Sequence, residues 1–200
     1  MKNQFIQRKR IRKEHFDYSG KGDYFITVCA FENRHLFGRI MDGKMVTGTL
    51  GGIAETWWYK IPERFPGVSL GDFVVMPNHV HGIIILEGRE ASEGLGREAS
   101  EGLPYGTAPF KGDGGGAKAA PSVPQIIHWY KTWTTNEYFR YMKANFPGQG
   151  YLKLWHRSYY DHIIRTHEDY QRISNYIRNN PANWEQDRFS WPENNPRSTP

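Results

Sequence analysis

Two hundred residues make room for one domain with appendages, and 38% hydrophobic with 15% aromatic residues supplies a sizeable core. A net charge of +5 permits a nucleic-acid partner, while the single cysteine, Cys29, excludes an intramolecular disulfide and a thiolate metal cluster and fits a reducing compartment. No apolar run reaches membrane-spanning length and no secretion-signal core opens the chain, so a cytoplasmic protein without a membrane partner is expected.

Residues 1–17 read as a basic N-terminal arm, with Lys2, Arg8, Lys9, Arg10, Arg12 and Lys13 set against no acid over residues 1–13. Such an arm is a solvated tail or a phosphate binder. Tyr24–Phe31 (YFITVCAF) is β-branched and aromatic, the composition of a strand. His35–Ile40 and Met45-Val46 can pair as a hairpin through Asp42-Gly43. From Leu50 to Phe65 the spacing of Ile53, Trp57, Trp58 and Ile61 predicts a helix that Pro62 and Pro66 cut off.

Phe73–Glu87 (FVVMPNHVHGIIILE) is an apolar, β-branched run broken once by a Met-Pro-Asn turn. Side chains alternate across a strand, so His79 and His81 share a face and can grip one divalent metal between them. A chance pair, packed and hydrogen-bonded, is the alternative that spacing alone leaves open. Apolar neighbours on both faces predict a covered central strand.

Residues 88–121 form a low-complexity insert: GREASEGL stands at 88–95 and again at 96–103, and a glycine-rich stretch follows. Two octamers cannot stack a core. A helix is predicted from Ser122, with Val123, Ile126, Ile127, Tyr130 and Trp133 on its apolar side and Pro124 in its first turn. A second helical piece is predicted to start at Thr134 or Thr135 as N-cap, burying Tyr138, Phe139 and Met142. Lys131, Arg140 and Lys143 on the other side suit a wet helix face, and equally single-stranded nucleic acid, whose bases stack on interleaved aromatics.

Tyr159–Ile164 reads as a strand, and Thr166 as the N-cap of a helix from about His167 to Asn179, halted by Pro181. Tyr170, Ile173 and Ile177 are its apolar stripe. Tyr176 and Asn180, four apart, lie one above the other at the stripe's edge, where they could face the two histidines. A core tyrosine and a C-capping asparagine would give the same pattern. Residues 185–200 read as a C-terminal tail.

MPNHVHGI, followed at a distance by WHRSYYDHIIRTHEDYQRISNYIRNNP, resembles the single-tyrosine HUH transposases and, within them, the REP-associated tyrosine transposases. His79-Val80-His81 matches the His-hydrophobe-His motif, and Tyr176-Ile177-Arg178-Asn179-Asn180-Pro181 matches the family's tyrosine motif; together the likeness spans roughly Tyr18 to Trp184 outside the insert. The resemblance implies an α+β, ferredoxin-like antiparallel sheet with helices packed on it, and a single catalytic domain over residues 18–184. It implies that Tyr176 attacks single-stranded DNA, at hairpin (REP-like) sequences, leaving a 5′-phosphotyrosine link and a free 3′-OH. It implies Mg²⁺ or Mn²⁺ held by His79 and His81, with Asn180 as third ligand, in a cytoplasmic, nucleoid-associated enzyme that is a monomer or a homodimer. A non-catalytic single-stranded nucleic-acid binder on the same sheet is the competing reading. His162 and Arg165 lie close to this machinery in sequence, with strand-end packing and substrate contact both open.

Overall fold

The structure is a computed structural model and describes residues 20–87 and 121–190. The basic arm, all of the insert but Pro121, and residues 191–200 of the tail lie outside the described residues. In chain order come β1 (Gly22–Cys29), the hairpin β2 (Gly38–Met41) and β3 (Lys44–Thr47), α1 (Thr49–Tyr59), the single turn α2 (Ile61–Arg64), β4 (Val68–Met76), β5 (His79–Leu86), α3 (Val123–Asn145), β6 (Tyr160–Ile164) and α4 (His167–Asn179).

Four strands form one antiparallel sheet in the order β4-β5-β1-β6, with β2 and β3 as a separate pair. Without the small hairpin the path is strand-helix-strand-strand-helix-strand, and that path with that strand order is the ferredoxin-like α+β fold. β5 is central, as its two-sided apolar pattern requires. The β2–β3 turn falls on Asp42 (φ 49°) and Gly43 (φ 68°), the paired positive φ values of a tight hairpin turn.

Directly opposed residues share a sheet face, so the register sorts the side chains. Tyr24, Ile26, Val28, Val80 and Ile84 pack with Trp58 of α1 and with Ile126, Ile127 and Tyr130 of α3 in the larger core. Gly82 lies on that side: a Cβ there would stand 2.3 Å from Trp58 Cζ2, so only glycine lets the fully buried indole rest on β5. The other face is smaller. Ile83 and Ile164 meet Ile173 and Ile177 of α4, with Phe25, Val74 and Tyr170 at the margin. α4 covers only part of this face, and the rest carries the histidines.

Two predicted boundaries differ. The helix expected over Leu50–Phe65 is divided at Lys60, where the chain turns ahead of Pro62 into α2. The two helical pieces expected around Thr134 are one helix, α3. Thr134 is buried, donates to the carbonyl of Tyr130 (2.8 Å), and accepts from Trp155 Nε1 (2.7 Å). The hydroxyl that looked like an N-cap is satisfied inside the helix by the preceding turn and by a distant indole. α4 begins as predicted, Thr166 accepting from the backbone N–H of Asp169 at 3.1 Å.

A candidate metal centre facing Tyr176

β5 carries His79 and His81 into the protein at 0% and 1% exposure, with their Nε2 atoms 2.9 Å apart. Each ring is held from behind. Asn78 Nδ2 donates to the carbonyls of Asn33 (3.2 Å) and Phe189 (2.7 Å), so its Oδ1 is the end that faces His79 Nδ1 at 2.8 Å. Nδ1 of His79 therefore carries the proton, and Nε2 keeps its lone pair for the space in front. Thr27, opposite His81 across the β1–β5 ladder, places Oγ1 2.8 Å from His81 Nδ1. A hydroxyl both donates and accepts, so it suits either neutral tautomer of His81.

Asp187 closes the group. Its Oδ2 lies 3.9 Å from His79 Nε2 and 3.8 Å from His81 Nε2, and it accepts from Asn180 Nδ2 at 2.7 Å and from the Tyr176 hydroxyl at 3.1 Å. Oδ1 accepts from the Phe189 backbone N–H at 2.7 Å. The Tyr176 hydroxyl is also 3.2 Å from His81 Nε2, while 40% of the residue remains exposed. The ligand atoms of His79, His81 and Asp187 all lie within 4.8 Å of one another, and the residues are buried. Asn180 Oδ1 is buried beside them with no hydrogen-bond partner.

This donor set fits a divalent cation. Adjacent ligands about 2.1 Å from an octahedral ion are about 3.0 Å apart, close to the imidazole separation. The stranded Asn180 oxygen is the kind of atom a cation satisfies. The buried His79-His81-Asp187 group can bind a metal ion.

The electrostatics agree. Burial holds both imidazoles below the ordinary histidine range, His79 further through its neighbour His81, so they are neutral rings rather than cations. Burial pushes the Asp187 carboxyl up, but contacts from His81, the Phe189 N–H, His79 and Asn180 outweigh it and hold the group well below the usual range. Burial, then the adjacent Asp187 charge, pushes the Tyr176 phenol up to about 12.

No family model matches the chain. An uncharacterized protein of Haemophilus influenzae is 35% identical over 183 residues, covering 91% of this chain and 92% of that protein. The chain belongs to that protein's family. Among solved structures the chain is similar to a REP-associated tyrosine transposase bound to a REP hairpin, at 19% identity and a TM-score of 0.49, over 85% of this chain and 72% of that one.

In this member of the family Tyr176, His79, His81 and Asn180 converge on one point. Tyr176 and Asn180 share a single acceptor, Asp187 Oδ2. Asn180 stands at the C-cap of α4, yet its side chain belongs to the site. His162 is engaged elsewhere, its Nε2 2.7 Å from Asp169 Oδ2, and Arg165 is exposed beyond the end of β6. Asp187, Asn78, Thr27 and Phe189 do not emerge from sequence reasoning. Residues 185–190, read as the start of a tail, instead turn back over the histidines, with the Phe189 and His79 rings 4.9 Å apart. Only Asn78 left a signal, standing directly before the His-x-His pair at the β4–β5 turn.

Proposed function

We propose that the chain is a metal-dependent tyrosine transposase of single-stranded DNA, cleaving and rejoining strands through a covalent 5′-phosphotyrosine. The observation that carries this is Tyr176: a partly exposed tyrosine whose hydroxyl is 3.2 Å from His81 Nε2 and 3.1 Å from Asp187 Oδ2. A nucleophile for a polymer must be reachable from solvent and anchored in the reacting centre; Tyr176 is 40% exposed and its hydroxyl is hydrogen-bonded in the site. The sequence resemblance supplies the reaction class.

In the proposed step the Tyr176 oxygen bonds to phosphorus as the P–O3′ bond breaks, and the phenolic proton ends on the released 3′ oxygen. Asp187 orients the hydroxyl by accepting its hydrogen bond; held strongly acidic, it is a poor resting place for that proton. His79, His81, Asp187 and Asn180 would hold Mg²⁺ or Mn²⁺. A divalent cation there supplies positive charge that polarises a phosphate and offsets the cost of ionising a phenol held near 12. Asn78 and Thr27 fix the planes of the two imidazoles, and Phe25, whose ring is 5.2 Å from that of His81 and 6.0 Å from that of Tyr176, keeps their spacing.

The test is incubation with a panel of single-stranded DNA hairpins and Mn²⁺, followed by a denaturing gel. The expected result is a protein–oligonucleotide adduct that Tyr176→Phe and chelation each abolish, while Tyr170→Phe keeps it. DNA binding without any adduct across the panel would sink the enzyme reading and leave a non-catalytic binder. An adduct mapped by mass spectrometry to Tyr159, Tyr160 or Tyr170 would overturn the assignment of the nucleophile.

A further inference from the structure

Beside the site, the chain holds a cation in the open. Arg188 follows Asp187, and its side chain is exposed. Its guanidinium carbon is 4.5 Å from the ring centre of Phe189 and 5.2 Å from that of Tyr160. Those two rings are 5.7 Å apart and tilted at 50°, a cleft in which a planar guanidinium is steadied. Among the described residues no carboxylate lies within ion-pair distance of Arg188, as is true also of the exposed Arg39, Arg64, Arg157 and Arg165; what sets Arg188 apart is its two-ring cleft beside the site. An exposed guanidinium fixed by rings but left without an anion keeps its donors for a ligand.

The register places that cleft. Thr27 of β1 opposes His81 on one side and Tyr160 of β6 on the other, so His81, Thr27 and Tyr160 form a row on one face of the sheet. Tyr160 is two strands from His81, about 10 Å across the sheet. Tyr160 is 44% exposed at the sheet's edge. A strand whose reacting phosphate sits at Tyr176 must run on over neighbouring surface, and this cleft offers it a cation and a flat ring together.

We propose that Arg188 binds a phosphate of the substrate strand next to the one that reacts, and that the Tyr160 ring is the stacking surface for the base attached there. This rests on the reading of the site as one for single-stranded DNA and assigns two residues that contact the strand outside the reacting centre. Phosphate neutralisation by one residue has a signature that packing lacks: each phosphate contact contributes about 0.7 to the salt slope of single-strand binding.

The experiment measures binding of an oligodeoxythymidine of about 20 nucleotides by fluorescence anisotropy across a salt series, with full-length protein. Arg188→Gln should reduce the slope by about 0.7 and weaken binding, while Arg188→Lys keeps the slope. Tyr160→Ala should weaken binding roughly tenfold with the slope unchanged, and Tyr160→Phe should bind as wild type. If Arg188→Gln matches the wild type in slope and affinity while the wild type still forms the covalent adduct with hairpin DNA, this inference fails and the proposed activity stands. If the wild type neither binds the oligonucleotide nor forms an adduct, both fail. Loss of slope in Arg188→Lys as well would mean that Arg188 holds the 187–190 turn rather than a phosphate.

Discussion

Replacing Asn78 with alanine should weaken the fold and the candidate metal site together. The side chain is fully buried and makes three hydrogen bonds, to the carbonyls of Asn33 and Phe189 and to Nδ1 of His79. At about 1 kcal/mol net for each, the loss is about 3 kcal/mol, with more if the stranded groups cannot reach water. For a domain of this size that lowers the melting temperature by about 6–12 °C. Without its acceptor, His79 can turn or change tautomer, and loss of such an outer partner typically costs about 10–100-fold in metal affinity. Urea unfolding and calorimetric titration with Mn²⁺ measure the two effects separately. Asn78→Asp distinguishes their origins. It keeps an acceptor for His79 but sets a carboxylate oxygen against two carbonyls, so stability should fall while Mn²⁺ affinity is retained. An Asn78→Ala protein with wild-type melting and wild-type Mn²⁺ affinity would refute the reasoning.

Four further outcomes are expected. His79→Ala should lower Mn²⁺ affinity at least tenfold by calorimetry and abolish the adduct, with a near-native circular dichroism spectrum; undiminished affinity would remove His79 from the ligand set. Gly82→Ala should cost roughly 1–3 kcal/mol or more in urea, because its Cβ would stand 2.3 Å from Trp58 Cζ2 where ordinary contact begins at 3.4 Å; a neutral effect would show that the indole can slide. Thr134→Val should cost about 1–3 kcal/mol by leaving Trp155 Nε1 buried and unpaired, visible in the same assay and absent if water enters. Ile173→Ala should cost about 2–5 kcal/mol and speed amide exchange in α4 more than in α3; equal acceleration in both helices would mean that α4 does not open alone.

What could be read from the chain was whatever repeats at a fixed period. Alternation put His79 and His81 on one face, and the four-residue spacing put Tyr176 above Asn180; the strand register and the docking of Ile173 and Ile177 then brought the two pairs together. The hairpin turn was legible because Asp42 and Gly43 take positive φ, which few residue types tolerate. Thr134 misled because its hydroxyl is satisfied by a carbonyl one turn back and by Trp155, a partner 21 residues away. Asp187 was illegible for a related reason. It sits in a short polar stretch after α4 that has no period, and its place is set by tertiary contacts with Asn180 and Tyr176 and by its own local bond to the Phe189 N–H.

The position of Tyr176 is set also by residues that never touch its hydroxyl. Ile173 and Ile177 seat α4 against Ile83 and Ile164, and Ile177 is the very next residue. Thr166 and Asp169 fix where the helix begins, and so which residues of α4 face the sheet. α4 rests on the smaller of the two cores, while the histidines ride on the strand at the middle of the larger one. The two halves of the site thus rest on different supports: His79 and His81 on a central strand, and Tyr176 and Asn180, with Asp187 hydrogen-bonded to both, on one helix over the smaller core. Under the proposed function, a shift of α4 would therefore carry Tyr176 and Asn180 together relative to the two histidines, so that nucleophile and ligand set would open as one.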